Sequence, residues 1–444
     1  MSANMIAIAS SGLSAARAAL EVTSQNIANA STDGYVRRSV TLAEQSANSL
    51  HSSYGQVSQL GVRVSGITRN VSGFEQAEVR RTNSEATRAD TLVDGLTQLS
   101  DTADNSGVFT AITNFQSALS QLTASPANSS LRANAVEAAR TMAQSFNTAS
   151  TGLKSAVTSA QNEATSGLKD LNDLAANLAL LNKRISSDTD PASNSAGLLD
   201  QRDTILQKMS SLTNITTTIN SDNTVTVQLG SAGNSTLVDR GTANTLSMAT
   251  ASDGNISFSI NGGSISLTGG SLAGQQQSIS AGVTALSGLD DIANSMMSTM
   301  NNAQANGVDL TGATGTAMFS GTGAADMSMV LTSANQLATA SSGSGANSQN
   351  GTNVSAMISS LNTANVSGKM NDYLFGLSSA VSGNTTMRDA LDTIASNAKT
   401  SLAASSGVNL DTEAANLVQY QQAYQASGKI IQIASTLFDQ LLNM

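Results

Sequence analysis

The residues that could carry out covalent chemistry are almost absent from this chain. His51 is the one histidine and there is no cysteine, so a Ser-His-Asp or Cys-His site could be built only around that single imidazole. His51 stands in a serine-rich stretch, Ser49 to Ser53, and reads as exposed filler. A His-rich metal centre is excluded by count. Gly321-Thr322-Gly323 lacks the third glycine and the preceding buried strand of a dinucleotide loop. The sequence reads as that of a protein without an enzymatic site or a cofactor. What its residue types and spacing can do is bind helices to one another.

Ile6, Leu13, Leu20 and Ile27 recur every seven residues, with the small residues Ala9, Ala16, Thr23 and Ala30 between them. That is the seam of a helix with a partner helix. The far end repeats the rhythm: Leu417, Tyr420, Tyr424, Ser427, Ile431, Ala434, Phe438 and Leu441 alternate steps of three and four. A helix of ~30 residues is ~45 Å long. Burying four Ile or Leu side chains returns only ~6–12 kcal/mol, against ~1–2 kcal/mol of backbone ordering per residue before helix bonds offset it. Gly12 and Gly428 each cost about 1 kcal/mol more relative to alanine. Either helix alone is marginal, and the expectation is that both ends are mobile in the monomer and fold against each other in a polymer. The alternative is an ordinary coiled pair within one chain.

The two stripes must be positioned by the rest of a 444-residue chain, long enough for two to four domains. Only 12% of residues are charged, and 8 Phe and 5 Tyr with no Trp leave cores of Leu, Ile, Val and Ala. Thin helical layers suit that material. A net charge of -10 without a basic stripe opposes nucleic-acid binding. The absence of cysteine fits a chain that is secreted and folds without redox help. No basic n-region precedes the short apolar run at Ile6 to Ala9, so a cleaved signal peptide is a poor reading. No stretch reaches ~18 uninterrupted apolar residues, and a membrane-bound form is not expected.

Along the chain, a helix over Ser2 to Ala30 is broken by the turn residues through Asp33-Gly34. Tyr35 to Val71 reads as irregular, with a strand at Val62, Val64 and Ile67. Helical blocks follow over Thr91 to Leu122, ended by Pro126, and over Leu131 to Ile185, closed by Pro191. After Leu212 the period falls to two: Val225, Val227 and Leu229, then Ile256, Phe258 and Ile260 leading to Asn261-Gly262, a hairpin signal. Helix resumes over Val283 to Ala305. A Gly, Thr and Ser-rich loop with a short helix near Met327 to Ala340 leads to a long helix, Met370 to Ala404, and a last one capped by Asn409 or Asp411. The expected fold is mainly α with an inserted β-domain: paired N- and C-terminal helices (1–34 with 408–444), an elongated helical bundle (35–212 with 282–407) and a small β-rich outer domain (213–281).

At the end of the first helix stands Ser24-Gln25-Asn26-Ile27-Ala28-Asn29-Ala30-Ser31-Thr32-Asp33-Gly34-Tyr35. Asn26 and Asn29 can bond backbone groups where the helix stops, and Gly34 can take the positive φ of a sharp exit. This segment resembles the Asn-rich stretch of bacterial flagellar rod, hook and hook-associated axial proteins. Leu198-Leu199-Asp200-Gln201-Arg202-Asp203 resembles a block of the hook-associated members that join hook to filament. So do Gly407 to Leu417, Gln421 to Ala426, Phe438 to Leu442 and, in character, Met296 to Phe319. The middle is short beside larger members, and an extra outer domain is not expected. For Asp200, Arg202 and Asp203 a structural role at the joint between helical and β-regions is expected, with no chemistry.

The resemblance implies a structural axial protein at the hook-filament junction. Its paired terminal helices would line an inner tube wall, with Ile6, Leu13, Leu20, Ile27, Asn26, Asn29, Gly34 and Tyr35 as assembly residues of the first helix. Leu417, Tyr420, Tyr424, Ile431, Phe438 and Leu441 would serve assembly and an export chaperone on the last helix. Implied partners are the hook protein, a second junction protein or filament-type subunits, and copies of the chain itself in a helical ring. Implied placement is extracellular, after export without a cleaved signal peptide. The alternatives are a hook or rod protein or, from another class, a secreted helical effector acting on membranes. The stripes are narrow and poor in Lys, Arg and Trp, which opposes the last reading.

Overall fold

The computed structural model describes residues 2–32, 34–46, 59–187, 195–230 and 235–442. His51, Pro191 and Asp33 lie outside the described residues. In chain order the elements are α1 (Ser2–Ala28), β1 (Arg38–Ser46), β2 (Gln59–Arg69), α2 (Gly73–Asn105), α3 (Val108–Ala124), α4 (Ser129–Ser187) and α5 (Ser195–Leu212). Seven short strands follow: β3 (Ile215–Ile219), β4 (Val225–Leu229), β5 (Thr236–Asp239), β6 (Thr242–Ala243), β7 (Leu246–Thr250), β8 (Ile256–Ile260) and β9 (Gly263–Ile265). After α6 (Gly270–Ala305) come four two-residue strands, β10 (Gly307–Val308), β11 (Phe319–Ser320), β12 (Ser328–Met329) and β13 (Ala340–Ser341). The chain closes with α7 (Thr352–Ala364), α8 (Val366–Ser406) and α9 (Leu410–Leu442). The fold is mainly α, with paired terminal helices and an inserted β-rich region.

Two compact units form. The first holds residues 1–83, 171–245 and 392–444, the second residues 84–170 and 246–391. The β-rich stretch is divided between them.

In the first unit α1 packs against α9 and against the antiparallel hairpin β1–β2. That hairpin replaces the irregular segment read from the sequence, because its cross-strand pairs Leu42–Val64 and Val40–Ile67 are interrupted by bulges that blur the period of two. Gly61, at φ 95°, lets β2 approach α1: a Cβ there would stand 2.1 Å from Ser11 Oγ. The freed hydroxyl accepts the Val62 N–H at 3.1 Å. The sheet β3-β4-β5-β6 buries Val225, Val227 and Leu229 as its alternation requires. Asn182 of α4 accepts Val225 N–H at 3.1 Å and donates to Val225 and Arg240 carbonyls, each at 2.8 Å.

In the second unit β7-β8-β9 form an antiparallel sheet, and Asn261 and Gly262, at φ 51° and 79°, make the expected tight turn. The core joins α3, α4, α6, α7 and the start of α8 through Ile112, Phe115, Phe146, Leu289, Met296, Met357 and Met370. Phe115 meets Phe319 edge to face, with ring centroids 6.4 Å apart. The chain between Gly307 and Gly351 is held by side-chain amides more than by sheet. Asn147 donates to the carbonyls of Ala324 and Met327, at 2.7 and 3.1 Å. Asn301 accepts Met318 N–H at 2.8 Å and donates to Phe319 O at 2.8 Å. Arg132, fully buried, donates to Pro126 O, Thr339 Oγ1, Ala334 O, Asn335 O and Leu337 O.

Further readings of the sequence are corrected. The block over Thr91 to Leu122 is two helices, because Gly107 takes φ 69° and ends α2's run. Helix α6 begins at Gly270, ahead of Val283, within the stretch assigned to strands. Its Gln-rich first turns obscure the helical stripe, and they lie close against α2: at Gly274 a Cβ would come within 2.6 Å of Arg88 O. The helix expected near Met327 to Ala340 is one 3-10 turn, Ala334–Gln336, closed by a Ser333 capping box. Helix α7 went unread. Its Ser and Thr content resembles the loop before it, and only Val354, Met357 and Leu361 mark a face. Finally, α1 over Met5–Ala28 reaches a mean hydropathy of 1.3, enough by length and composition to cross a membrane. Alanine raises that mean without an uninterrupted apolar run, and the helix buries its small residues on α9 and the hairpin.

Candidate assembly site at the paired termini

Helices α1 and α9 run antiparallel. Gly12 faces Ser427, whose Oγ would be 3.2 Å from an added Cβ, and Gly428 faces Leu13, 3.8 Å from one. The small residues sit deepest: Ala9, Ala16 and Thr23 of α1 and Ala434 of α9 are buried. Ile6, Leu13, Leu20 and Ile27 are half-buried and flank that line, as are Leu417, Tyr420 and Ile431 opposite. Tyr424 and Phe438 are exposed, at 39% and 49%. Leu441 lies in the last turn of α9, its side chain outside the described set. Small residues at the closest approach let two weakly apolar helices come near enough for dispersion contacts to accumulate. The glycines serve that approach unequally. Gly428→Ala adds an ordinary contact to Leu13 and removes helix-glycine entropy, so it should stabilise the pair by about 1 kcal/mol in thermal circular-dichroism melts; a lower melting point would contradict this geometry.

Two features of α9 escaped the sequence reading. Gln419, Ala423, Ala426, Ile430, Ile433 and Leu437 form a second stripe with the same alternating steps, all exposed, with Ile430, Ile433 and Leu437 at 43%, 49% and 47%. Its heptad spacing was the signal. The other is Glu413, four residues before Leu417 in the first stripe and 1% exposed.

At the root of the pair the chain ties four segments together. Asn26 Oδ1 accepts the Tyr35 hydroxyl at 2.9 Å and Arg38 N–H at 3.0 Å, while its Nδ2 donates to Arg38 O at 2.9 Å and Glu413 Oε2 at 3.1 Å. Arg37 Nε donates to Glu413 Oε1 at 2.8 Å. Asn29 donates to Gln25 O at 2.9 Å, closing the helix end as expected. Gly34 has φ 75°, and a Cβ there would strike Thr204 Oγ1 at 2.6 Å. Asn409, not Asp411, caps α9, accepting Thr412 N–H at 3.0 Å. Burial raises the Tyr35 pKa above its ordinary value, against the Arg38 guanidinium, which stacks 5.0 Å from its ring centre.

The Leu198 to Asp203 block of α5 holds the hairpin root to this site. Asp200 pairs with Arg38 at 2.8 Å and Arg69 at 2.7 Å, and Asp203 with Arg69 at 2.7 Å and Arg202 at 2.9 Å. Arg202 also donates to Asn223 O in the β3–β4 turn at 3.0 Å. The carboxylates are largely buried, so this is not the solvated local pair that spacing alone allows. Burial works against the Asp203 charge, yet Arg202 and Arg69 outweigh it and hold its pKa below the usual carboxylate value. A depressed folded pKa gives stability that is complete above the unfolded value, ~3.9, and drains as pH falls through the folded one. Asp203→Asn should therefore flatten the acid limb of unfolding below about pH 4; urea melts at pH 7 and pH 3 that lose equal stability in parent and variant would exclude Asp203 as the source.

Known proteins resemble this chain along most of its length. The pattern of the flagellar hook-associated protein FlgK helical domain matches residues 94–319. That of the flagella basal body rod protein matches 6–35, and that of the flagellar basal body rod FlgEFG protein C-terminal region matches 402–444. Flagellar hook-associated protein 1 of Bacillus subtilis (strain 168) is 26% identical over 499 positions, spanning 97% of this chain and 96% of that protein. The protein of that name from Salmonella typhimurium is 26% identical over 56% of this chain, which covers 45% of its length. The flagellar hook junction protein FlgK from Burkholderia pseudomallei superposes with a TM-score of 0.50 at 25% identity, covering 55% of this chain and 46% of its own. The helical-domain match spans just over half of the residues, and the chain belongs to the flagellar hook-associated protein FlgK family.

Proposed function

We propose that this chain is the structural subunit that joins the flagellar hook to the filament, building a helical ring of copies through its terminal helices. The observation that carries self-assembly is the second exposed stripe of α9: a helix apolar on two faces needs cover beyond α1. Family membership and a match along nearly the whole length of the Bacillus subtilis protein support the junction role. On this reading 1–34 and 408–444 form the inner contact layer, 35–212 with 282–407 the bundle outside it, and 213–281 the outer part. The partners are the hook protein on one side and a second junction protein or filament-type subunits on the other, meeting head to tail. Ile6, Leu13, Leu20 and Ile27 with Leu417, Tyr420, Tyr424, Ile431, Phe438 and Leu441 carry assembly, while Asn26, Asn29, Gly34 and Tyr35 fix the exit of the first helix. The protein works outside the cell after export.

A deletion strain should build hooks yet release filament subunits into the medium. A strain that lacks hooks would instead make this a hook or rod protein. An export chaperone is proposed to take α9 as a helix in a groove before α1 covers it. Ile431→Asp should abolish chaperone capture and polymerisation together; unchanged pull-down would refute the chaperone half.

A further inference from the structure

The seam between α1 and α9 carries little positional information. Large residues recur every seven positions on both helices, so a slide of one heptad, about 10 Å, returns most aliphatic and aromatic side chains to matching places, with Tyr420 taking the place of Ser427 as the main steric change. Yet one register is built. Between Gly12 and Asn26 α1 advances fourteen residues, and between their partners Ser427 and Glu413 α9 retreats fourteen. Both contacts therefore belong to a single antiparallel alignment.

We propose that Glu413 sets this register. It occupies the seam itself, where the three-four rhythm calls for an apolar residue, and is 1% exposed. Asn26 Nδ2 at 3.1 Å and Arg37 Nε at 2.8 Å are its donors. Slid by one heptad toward the start of α1, Glu413 would face Ala19, among Ala15, Ala16 and Val22, and its carboxylate would be buried without a donor. Slid the other way, it would pass the end of the helix. The penalty falls on the wrong alignments, including those in which α9 of one copy meets α1 of another out of step, whereas the apolar seam opposes a slide only where Tyr420 would meet Gly12. A single buried polar residue fixes coiled-coil register in this way, at a cost in stability. The inference concerns the fold of one chain and holds whether or not the chain sits at the hook-filament junction.

The chain has no cysteine, so engineered pairs report alignment cleanly. Gly12→Cys with Ser427→Cys reads the observed register; Gly12→Cys with Tyr420→Cys or with Ala434→Cys reads the two heptad slides. With Glu413 in place, mild oxidation of the full chain should close the 12–427 pair alone. In Glu413→Leu, helix content and melting point should hold or rise while the 12–427 yield falls several-fold, and 12–420, 12–434 or intermolecular disulfides appear. Glu413→Gln keeps an acceptor for Asn26 and should retain the parent pattern; it also serves if Glu413→Leu does not fold, because Asn26→Leu together with Arg37→Leu in the Glu413→Gln background then removes both donors and should release the slides. If 12–427 remains the sole disulfide in these variants, or if the slides already occur with Glu413 present, the proposal is overturned.

Discussion

Replacing Arg132 by methionine should destabilise the compact unit of residues 84–170 and 246–391 by about 3–5 kcal/mol, the cost of stranding partners of a buried charge. Each of the five guanidinium N–H groups has an acceptor: Nη1 donates to Pro126 O at 2.8 Å and Thr339 Oγ1 at 2.9 Å, Nε to Ala334 O at 3.0 Å, and Nη2 to Asn335 O at 2.9 Å and Leu337 O. The side chain is wholly buried. Methionine fills much of the space and satisfies none of the acceptors. Arg132→Lys keeps the charge but offers three donors on a single nitrogen, so it should fall between parent and methionine variant. Amide exchange should rise first over residues 334–339, whose carbonyls converge on the guanidinium, and denaturant melts give the size. A methionine variant within 1 kcal/mol of parent would mean that the amide clamps from Asn147 and Asn301, with Gln304 donating to Gln336 O at 2.6 Å and Asn353 to Ala338 O at 2.7 Å, hold the 307–351 segment without it.

That segment also shows where the sequence stops being legible. Periodicity found the long helices and the strands at Val225 and Ile256 because each buries one face at a regular spacing. It could not find the course of residues 307–351, fixed by single amides and one arginine far off in sequence: Arg132 lies more than 200 residues from Ala334. At the candidate site, heptads found both stripes, and the turn chemistry of Asn26, Asn29 and Gly34 was visible as local structure. Glu413, Arg37 and Arg69 were not, since a charged residue in a sparse charge pattern looks like solvated surface until its partner arrives from the other end of the chain. Glu413 and Asn26 are 387 positions apart. The large residues of the stripes were read as the contact because hydrophobicity scales rank them first, whereas close approach selects the small ones between them.

The second large effect is expected at Asn26. Its four hydrogen bonds join the end of α1 to Tyr35, Arg38 and Glu413, and leucine of similar volume can replace none of them. Asn26→Leu leaves the Tyr35 hydroxyl, the Arg38 backbone and one Glu413 oxygen without their partner, which should cost about 3–5 kcal/mol at a site this buried. The loss should be local, because α1 and α9 keep their apolar seam. Amide protection should drop over residues 35–40 and the first turns of α9, with the second compact unit unchanged. Asn26→Asp should be worse above the carboxylate titration range, since it sets a second anion about 3 Å from Glu413 and removes the donor at once; lowering the pH should recover part of the deficit, whereas the leucine variant should show no such recovery. If the two variants lose equal stability at neutral and acid pH, the Asn26–Glu413 contact contributes nothing to holding the termini together, and the small-residue seam alone does so.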